Sequence, residues 1–475
     1  MADYDVVVIG SGFAGSAAAL SFLEAMEKAG RVGRVALIEA GGRGRWPGAS
    51  RWAKPFLALD RDNTLSRQRA ATARRERSSV ADLEYWRKFE DEVPNTVEFM
   101  ASHGVRLIHC DEEDVALDFE GGNFAYPDGG GKEAVDFYID YIMKYESADI
   151  LWEHEAIRPT LDDEGGVGGV VVREPDGTER SITADAVVLA CGGFQGSPEM
   201  FARYTGEDDL PNLPIIARGL RYNRGAGIRM AMEAGADAAG RFDMVHAELV
   251  DTRADRHHAA IWGQNYGIVV NEDCERFHDE GEDYLFATSE AIAYETWRHR
   301  NQRSYFITDG TVMDRLGDSW IYRTTNQPPE QADTIASLAG KLGLDPARLE
   351  ATVGEFNAAC EDGEWDPARM DGKKTSGITP PKSNWANPIS EAPFYGFPMT
   401  AHLSFTFGGL KADTGGRVLS TNGTPISGLY AAGDITGIFH HNHPPATSVL
   451  RANTFGRLVG VSVAKSLPET AASTG

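Results

Sequence analysis

The chain has 475 residues, with 46 basic and 71 acidic side chains and a formal net charge of −25. At 42% hydrophobic and 25% charged it has a globular make-up, and at roughly 100–200 residues per domain there is room for a few domains or one large interleaved pair. The acidic excess argues against nonspecific binding to nucleic acid or anionic lipid, and no apolar run approaches the roughly 18 residues of a membrane helix, so no membrane insertion is expected. The start, MADYDVVVIG, has neither a basic region nor a long apolar core nor a cleavage site, and is expected not to be a signal peptide. Cys110, Cys191, Cys274 and Cys360 are scattered without ligand spacing, which argues against a disulfide scaffold, structural zinc or an iron–sulfur cluster. The expectation is an acidic, cytoplasmic enzyme with no metal.

In chain order, the apolar run from Asp5 to Ile9 ends in GSGFAG, a helical stretch follows, and a second apolar run, VALIE, closes at Glu39. Strand, glycine turn, helix and strand in that order open a doubly wound sheet. Residues 62–108 are polar and helix-prone, and the basic stretch Arg74 to Arg77 reads as a solvated helix face. The turn YPDGGG (Tyr126 to Gly131) precedes another helix. Residues 148–192 alternate in the strand manner around a DDEGG turn and finish in ADAVVLACGG. From about 236 to 375 the pattern changes to mixed helices and short strands, one helix starting at Asp345-Pro346 with Asp as cap and Pro at the first helical position. Strand-like segments return near Thr406, GLYAAGD (Gly428 to Asp434) precedes a final helix, and ETAASTG reads as a frayed tail. This order predicts a nucleotide-binding domain split by an inserted one.

Gly10, Gly12 and Gly15 form GxGxxG between a strand and a helix. The first permits a tight turn, the second lets a pyrophosphate reach the backbone and the third allows close helix–strand packing, while the helix N-terminus offers N–H groups to phosphate. Glu39 stands 24 positions beyond Gly15, where its carboxylate would accept hydrogen bonds from ribose hydroxyls and repel a 2′-phosphate. No second glycine fingerprint follows, since GGVGG (Gly165 to Gly169) reads as a hairpin turn. VVLACGG and GLYAAGD both put small residues at a strand end, where a large planar cofactor can lie against backbone, which favours FAD over NAD.

GSGFAG, GASR (Gly48 to Arg51), YPDGGG, VVLACGGF, NRGAGIRMAMEAGA, NEDCERFHDEGEDY, LGLDPARLEATVGEFNAAC, TPPKSNWANPI, FTFGGLKAD, GLYAAGD and TFGRLVG together resemble the succinate dehydrogenase and fumarate reductase flavoprotein family. Within it the chain is more similar to the soluble branch that includes tricarballylate dehydrogenase. The resemblance implies an α/β fold: a split Rossmann-like FAD-binding domain (1–235 and 376–475) with an inserted α+β capping domain (236–375) over the substrate cleft. It places cofactor contacts at Gly10, Gly12, Phe13, Ala14, Gly15, Glu39, Ala40, Ser50, Arg51, Ala156, Gly192, Gly193, Asn223, Gly433, Asp434, Ser448 and Leu450, with Asp434 bonding the flavin's sugar chain.

The departures matter as much. GASRWAKPF has none of the flavin-linking histidine of covalent members, so noncovalent FAD is expected. RFHDEGEDY puts Tyr284 at the place of a catalytic arginine, FTFGG puts Phe405 at the place of a histidine, and HHNHPPATS puts His443 or Pro444 at the place of a second arginine. Bidentate arginines are how such sites hold planar dicarboxylates, so fumarate reduction is not expected. Oxidation of a CH–CH bond needs a base for the proton beside a carbonyl or carboxylate and an acceptor for the hydride. Tyr284, His402 and His443 are the catalytic candidates, with His440 and His441 adjacent. Arg451 could face flavin or solvent, and adjacent His257 and His258 have poor spacing for a metal. The tyrosine and NHPPATS also resemble the ketosteroid dehydrogenases. The function expected is an FAD-dependent CH–CH oxidoreductase acting on a cyclic keto compound or a polycarboxylate. A ketosteroid-dehydrogenase-like enzyme or an ene-reductase running in the reducing direction, and a noncatalytic flavin-binding subunit, are the alternatives. With no haem motif, cysteine cluster or NAD domain, electrons would pass to a separate protein, a quinone or oxygen.

Overall fold

The computed structural model describes residues 2–53, 56–65, 82–109, 124–205, 212–316, 325–441, 443–444 and 446–468. The basic stretch Arg74–Arg77, Cys110 and the expected tail 469–475 lie outside them. In β1 (Tyr4–Ile9) the apolar side chains of Val6 to Ile9 are all buried. A run without polar alternation has both faces covered, as the middle of a parallel sheet requires. β1 pairs in parallel with β2 (Val35–Glu39), Val8 opposite Leu37, and with the strand Glu179–Leu189, Val8 opposite Val188. Ala148–Trp152 extends the sheet past β2, and Pro425–Ala431 then Arg417–Leu419 extend it past Glu179–Leu189. Strands from both ends of the chain thus share one eight-stranded sheet. The predicted hairpin joins Glu155–Leu161 to Val167–Arg173, its turn held by Asp162, which accepts the N–H groups of Glu164 and Gly166.

Helix α1 (Phe13–Lys28) is rich in alanine and serine and lies against the C-terminal helix Ser448–Ser466. The two backbones nearly touch. A Cβ on Gly456 would sit 2.3 Å from the Ala14 carbonyl oxygen, and one on Gly460 would sit 2.3 Å from that of Ala18. Helix separation follows the size of the side chains at the contact, so the glycines four residues apart set it here.

A second, antiparallel sheet has the order Val245–Asp251, Phe394–Thr406, Ser304–Thr308, Ile268–Asn271, with Glu330–Ala332 also paired to Phe394–Thr406. The expected helix runs over Pro346–Ala359, and Asp345 accepts the N–H groups of Ala347 and Arg348. A division at residues 375 and 376 separates the other strands of this sheet from Phe394–Thr406, the strand that holds three of them. The two sheets share a core in which Val7, Leu189, Leu249, Phe306 and Phe397 belong to one cluster. Among the described residues no helix is long and apolar enough to cross a membrane.

The α1 contact yields the first prediction. Gly456→Val inserts two methyl groups and a Cβ against backbone that has nowhere to go, at a cost of ~1–3 kcal/mol. The melting temperature should fall accordingly in calorimetry; an unchanged value would mean the helices tolerate a wider separation.

Candidate functional site

The glycine turn is closed by contacts among its own residues. Gly10 leaves β1 at φ +104°, and a Cβ there would lie 2.5 Å from the Ala190 carbonyl oxygen at the end of the neighbouring strand. A Cβ on Gly15 would lie 1.8 Å from the Gly10 carbonyl oxygen. Gly12 caps α1 without a side chain, and Ser50 Oγ accepts the Phe13 N–H at 3.1 Å. The positive end of the helix therefore opens towards a cavity lined by residues 9–14.

Glu39, at the end of β2, is buried and already bonded within the protein. Its Oε2 accepts the Ser11 N–H at 3.0 Å and the Ser11 hydroxyl at 2.7 Å, and its Oε1 accepts the Gly41 N–H at 3.1 Å. The carboxylate thus pins the glycine turn, a task its spacing does not reveal, while also lining the cavity. Behind it, Arg51 Nη1 donates to Ser11 Oγ at 3.1 Å, Nε lies 3.7 Å from Asp136, and Nη2 has no hydrogen bond among the described residues. Burial pushes this guanidinium down from its ordinary value, while Glu39 and Asp136 hold it up.

A cavity of about 280 Å³ runs from this turn across the strand ends to the C-terminal helix. Of the residues expected at the cofactor, Gly10, Gly12, Phe13, Ala14, Glu39, Ala40, Ser50, Ala156, Gly192, Asn223, Gly433, Asp434 and Ser448 line it. Gly15, Arg51, Gly193 and Leu450 stand behind the wall. Gly15 is pressed on the turn, Arg51 is under Ser11, Gly193 is beside Thr406 and Leu450 is fully buried in the helix. Arg451 faces the interior: it donates to Asp434 Oδ1 at 3.0 Å, the Gly433 carbonyl at 3.1 Å and Thr436 Oγ1 at 3.0 Å. Burial raises the Asp434 carboxyl against the opposing pull of Arg451 and His246. The glycine cradle, the uncapped helix end and the ribose-side carboxylate fit a dinucleotide.

At the other end the wall is formed by Phe56, Leu249, Ile261, Trp262 and Phe405 together with His246, Glu248, His258 and His443. Of the catalytic candidates only His443 lies there, its Nε2 2.7 Å from Ser448 Oγ. Tyr284 does not. It sits at the N-cap of the helix Leu285–Arg298, and its ring turns into the core, 6.0 Å from that of Trp385. His402 lies opposite Glu248 in the ladder, outside the wall. Burial and the neighbouring His258 and His257 push its imidazole down to about 4, so it is neutral at pH 7.

Sequence reasoning passed over His246 and its partners. His246 Nδ1 lies 2.5 Å from Glu290 Oε2, and Nε2 lies 3.8 Å from Glu248 Oε1. The ring is 5.0 Å from His443 and 4.9 Å from Phe405. Two polar residues at i and i+2 in VHAELV, on one face of a strand, were the available signal. Among the described residues Arg224 is the one arginine on the wall, beside Glu155, which neighbours Ala156 of the expected cofactor set.

The FAD binding domain family matches residues 5–450. The chain belongs to that family. Its cofactor is FAD, and the residues that would hold it are those of the glycine turn, Glu39, Ser50 and Asp434. The chain is 26% identical to vinyl phenol reductase of Lactiplantibacillus plantarum, over 96% of this chain and 95% of that protein. It is 26% identical to fumarate reductase (cytochrome) of Shewanella frigidimarina, over 97% of this chain and 77% of that one. It is 30% identical over 63% of its length to NADH:acrylate oxidoreductase of Vibrio harveyi, of which it spans 29%. The fold is that of 3-ketosteroid-Δ4-(5α)-dehydrogenase from Rhodococcus jostii, with a TM-score of 0.70, 23% identity and 98% of both chains covered.

Glu39→Gln keeps the side chain's size and removes its charge. Charge-assisted hydrogen bonds are worth about 1.5–3 kcal/mol, so FAD affinity should fall roughly tenfold or more. Fluorescence titration of the apoprotein with FAD measures this, and an unchanged Kd would confine Glu39 to holding Ser11.

Proposed function

We propose that this chain is an FAD-dependent oxidoreductase that removes or adds hydrogen across a carbon–carbon bond beside the carbonyl of a neutral, largely apolar compound. One observation carries the reading: a single cavity joins the dinucleotide turn to an apolar chamber in which His246, Glu248, His258 and His443 are the titratable groups. FAD, when bound, supplies the two-electron donor or acceptor. The chamber's aromatic and aliphatic wall orients an apolar substrate and excludes water. Glu248 would repel a carboxylate, and among the described residues no arginine lines this end of the cavity to hold one, so a ketone suits the chamber better than a polycarboxylate such as tricarballylate. The names of the relatives, reductases of vinyl phenol, acrylate and fumarate, support chemistry at carbon–carbon bonds.

In this reading FAD is noncovalent, since GASRWAKPF has no histidine to link it. Residues 1–235 and 376–475 hold the cofactor and 236–375 form the cap, with Phe394–Thr406 lent to the cap's sheet. A separate protein, a quinone or oxygen completes the electron balance.

Heat or acid should release intact FAD into solution, and flavin retained by the denatured polypeptide on a gel would refute noncovalent binding. Mixed without oxygen, a cyclic ketone such as 4-androstene-3,17-dione or cyclohexanone should bleach the oxidised flavin, or 2-cyclohexen-1-one should restore it after reduction by dithionite. Succinate and fumarate should do neither. Fast bleaching by succinate would overturn the ketone assignment, and no response to any of these compounds would favour a noncatalytic flavin-binding subunit.

A further inference from the structure

We propose that His246, oriented by Glu290, is the group that delivers or removes the substrate proton. This role deepens the reading above and rests on it. His246 lies on the strand Val245–Asp251 opposite Phe405, at a register shift between His246 and Ala247. Such a bulge re-aims side chains, and bulges collect beside active sites. Here its neighbour Val245 gives its N–H to the Tyr294 hydroxyl at 2.5 Å, and His246 and Glu248 both reach the cavity wall. Tyr294 and Glu290 come from the helix Leu285–Arg298, which packs on this strand.

The geometry divides the work between the two ring nitrogens. Nδ1 is committed to Glu290, 2.5 Å away and almost fully buried, so the ring is held in one orientation and one tautomer. Nε2 is then the exchanging atom. It lies 3.8 Å from Glu248, beyond hydrogen-bond range. A buried carboxylate that fixes one nitrogen of a histidine while the other exchanges a proton is the arrangement used by positioned acid–base histidines.

In the reducing direction the Nε2–H bond of the imidazolium breaks. A C–H bond forms at the carbon next to the carbonyl, using the π electron pair of the double bond. The adjacent carbon gains one hydrogen with its electron pair, the two electrons that the flavin loses, and the imidazole regains its proton from solvent. Oxidation is the reverse, with neutral Nε2 accepting the proton. The charged groups facing His246 are Glu290 from the helix, Glu248 from its own strand and Asp434 from the loop after Pro425–Ala431, with His443 before the C-terminal helix 5.0 Å away. Burial works against the imidazolium, but the Glu290 bond and charge, with Glu248 and Asp434, hold the ring above the ordinary histidine value. Reduction needs the charged ring and should slow as pH rises through that raised value. Oxidation needs the neutral ring and should quicken there.

The test uses FAD-loaded enzyme and 2-cyclohexen-1-one, cyclohexanone and 4-androstene-3,17-dione as probes. His246→Gln should keep its FAD and slow flavin oxidation or reduction by the reactive probe by about 10²–10⁴-fold. Glu290→Gln should slow it less and move the pH midpoint of the rate downwards. Independently of turnover, NMR titration of the ring in holoenzyme should place His246 above the ordinary value of about 6.5, and Glu290→Gln should lower it. A His246→Gln enzyme at the wild-type rate overturns the role while leaving the proposed function standing. So does a His246 that titrates at or below the ordinary value. A wild-type enzyme that reacts with none of the probes overturns the function, and the proton role with it.

Discussion

The site depends on backbone touching backbone. Gly10 lies against the Ala190 carbonyl, Gly15 against Gly10, and Gly456 against Ala14, each at a distance that excludes a Cβ. These contacts draw the ends of β1 and Glu179–Leu189 and the start of α1 to one place. They also bring in the C-terminal helix, whose first residues, Ser448 and Val449, reach the same cavity. Residues hundreds of positions apart therefore make one wall because glycine is the only residue that lets the main chains meet there.

Around that frame, buried charge comes in pairs. Arg51 lies beneath Ser11, whose hydroxyl bonds Glu39; Arg451 faces Asp434; His246 faces Glu290. In the first two pairs the acid lines the cavity and the arginine sits behind it; in the third His246 lines it and Glu290 sits behind. An unpaired carboxylate at this depth would take up a proton and stop acting as a fixed acceptor. At Asp434 and Glu290 burial still outweighs the partner and raises the carboxyl, while the Glu290 bond and charge hold the His246 ring above its ordinary value. Arg451, which the sequence leaves undecided between flavin and solvent, belongs to this set as the support of Asp434.

The cofactor half was legible because its signals are local. GxGxxG, the terminal acid of β2 and the small residues that end VVLACGG and GLYAAG each state, within a few positions, where the backbone must be bare or charged. The substrate half was not. Matching Tyr284 to a lost arginine identifies a position in the chain, but a side chain at a helix cap can turn to either side, and here it turns to Trp385. His402 is one ladder step from Glu248 and still falls outside the wall.

By itself the sequence determined the parallel sheet, the glycine turn, the dinucleotide and the absence of an arginine clamp in the motifs that would carry it. Each follows from neighbouring residues or from residue type alone. Only the tertiary structure decided which histidines meet the chamber, and which of them gains a buried acid. His246 acquires its partner when the helix carrying Glu290 docks on the bulged strand, 44 positions away in the chain, and no local pattern encodes that meeting.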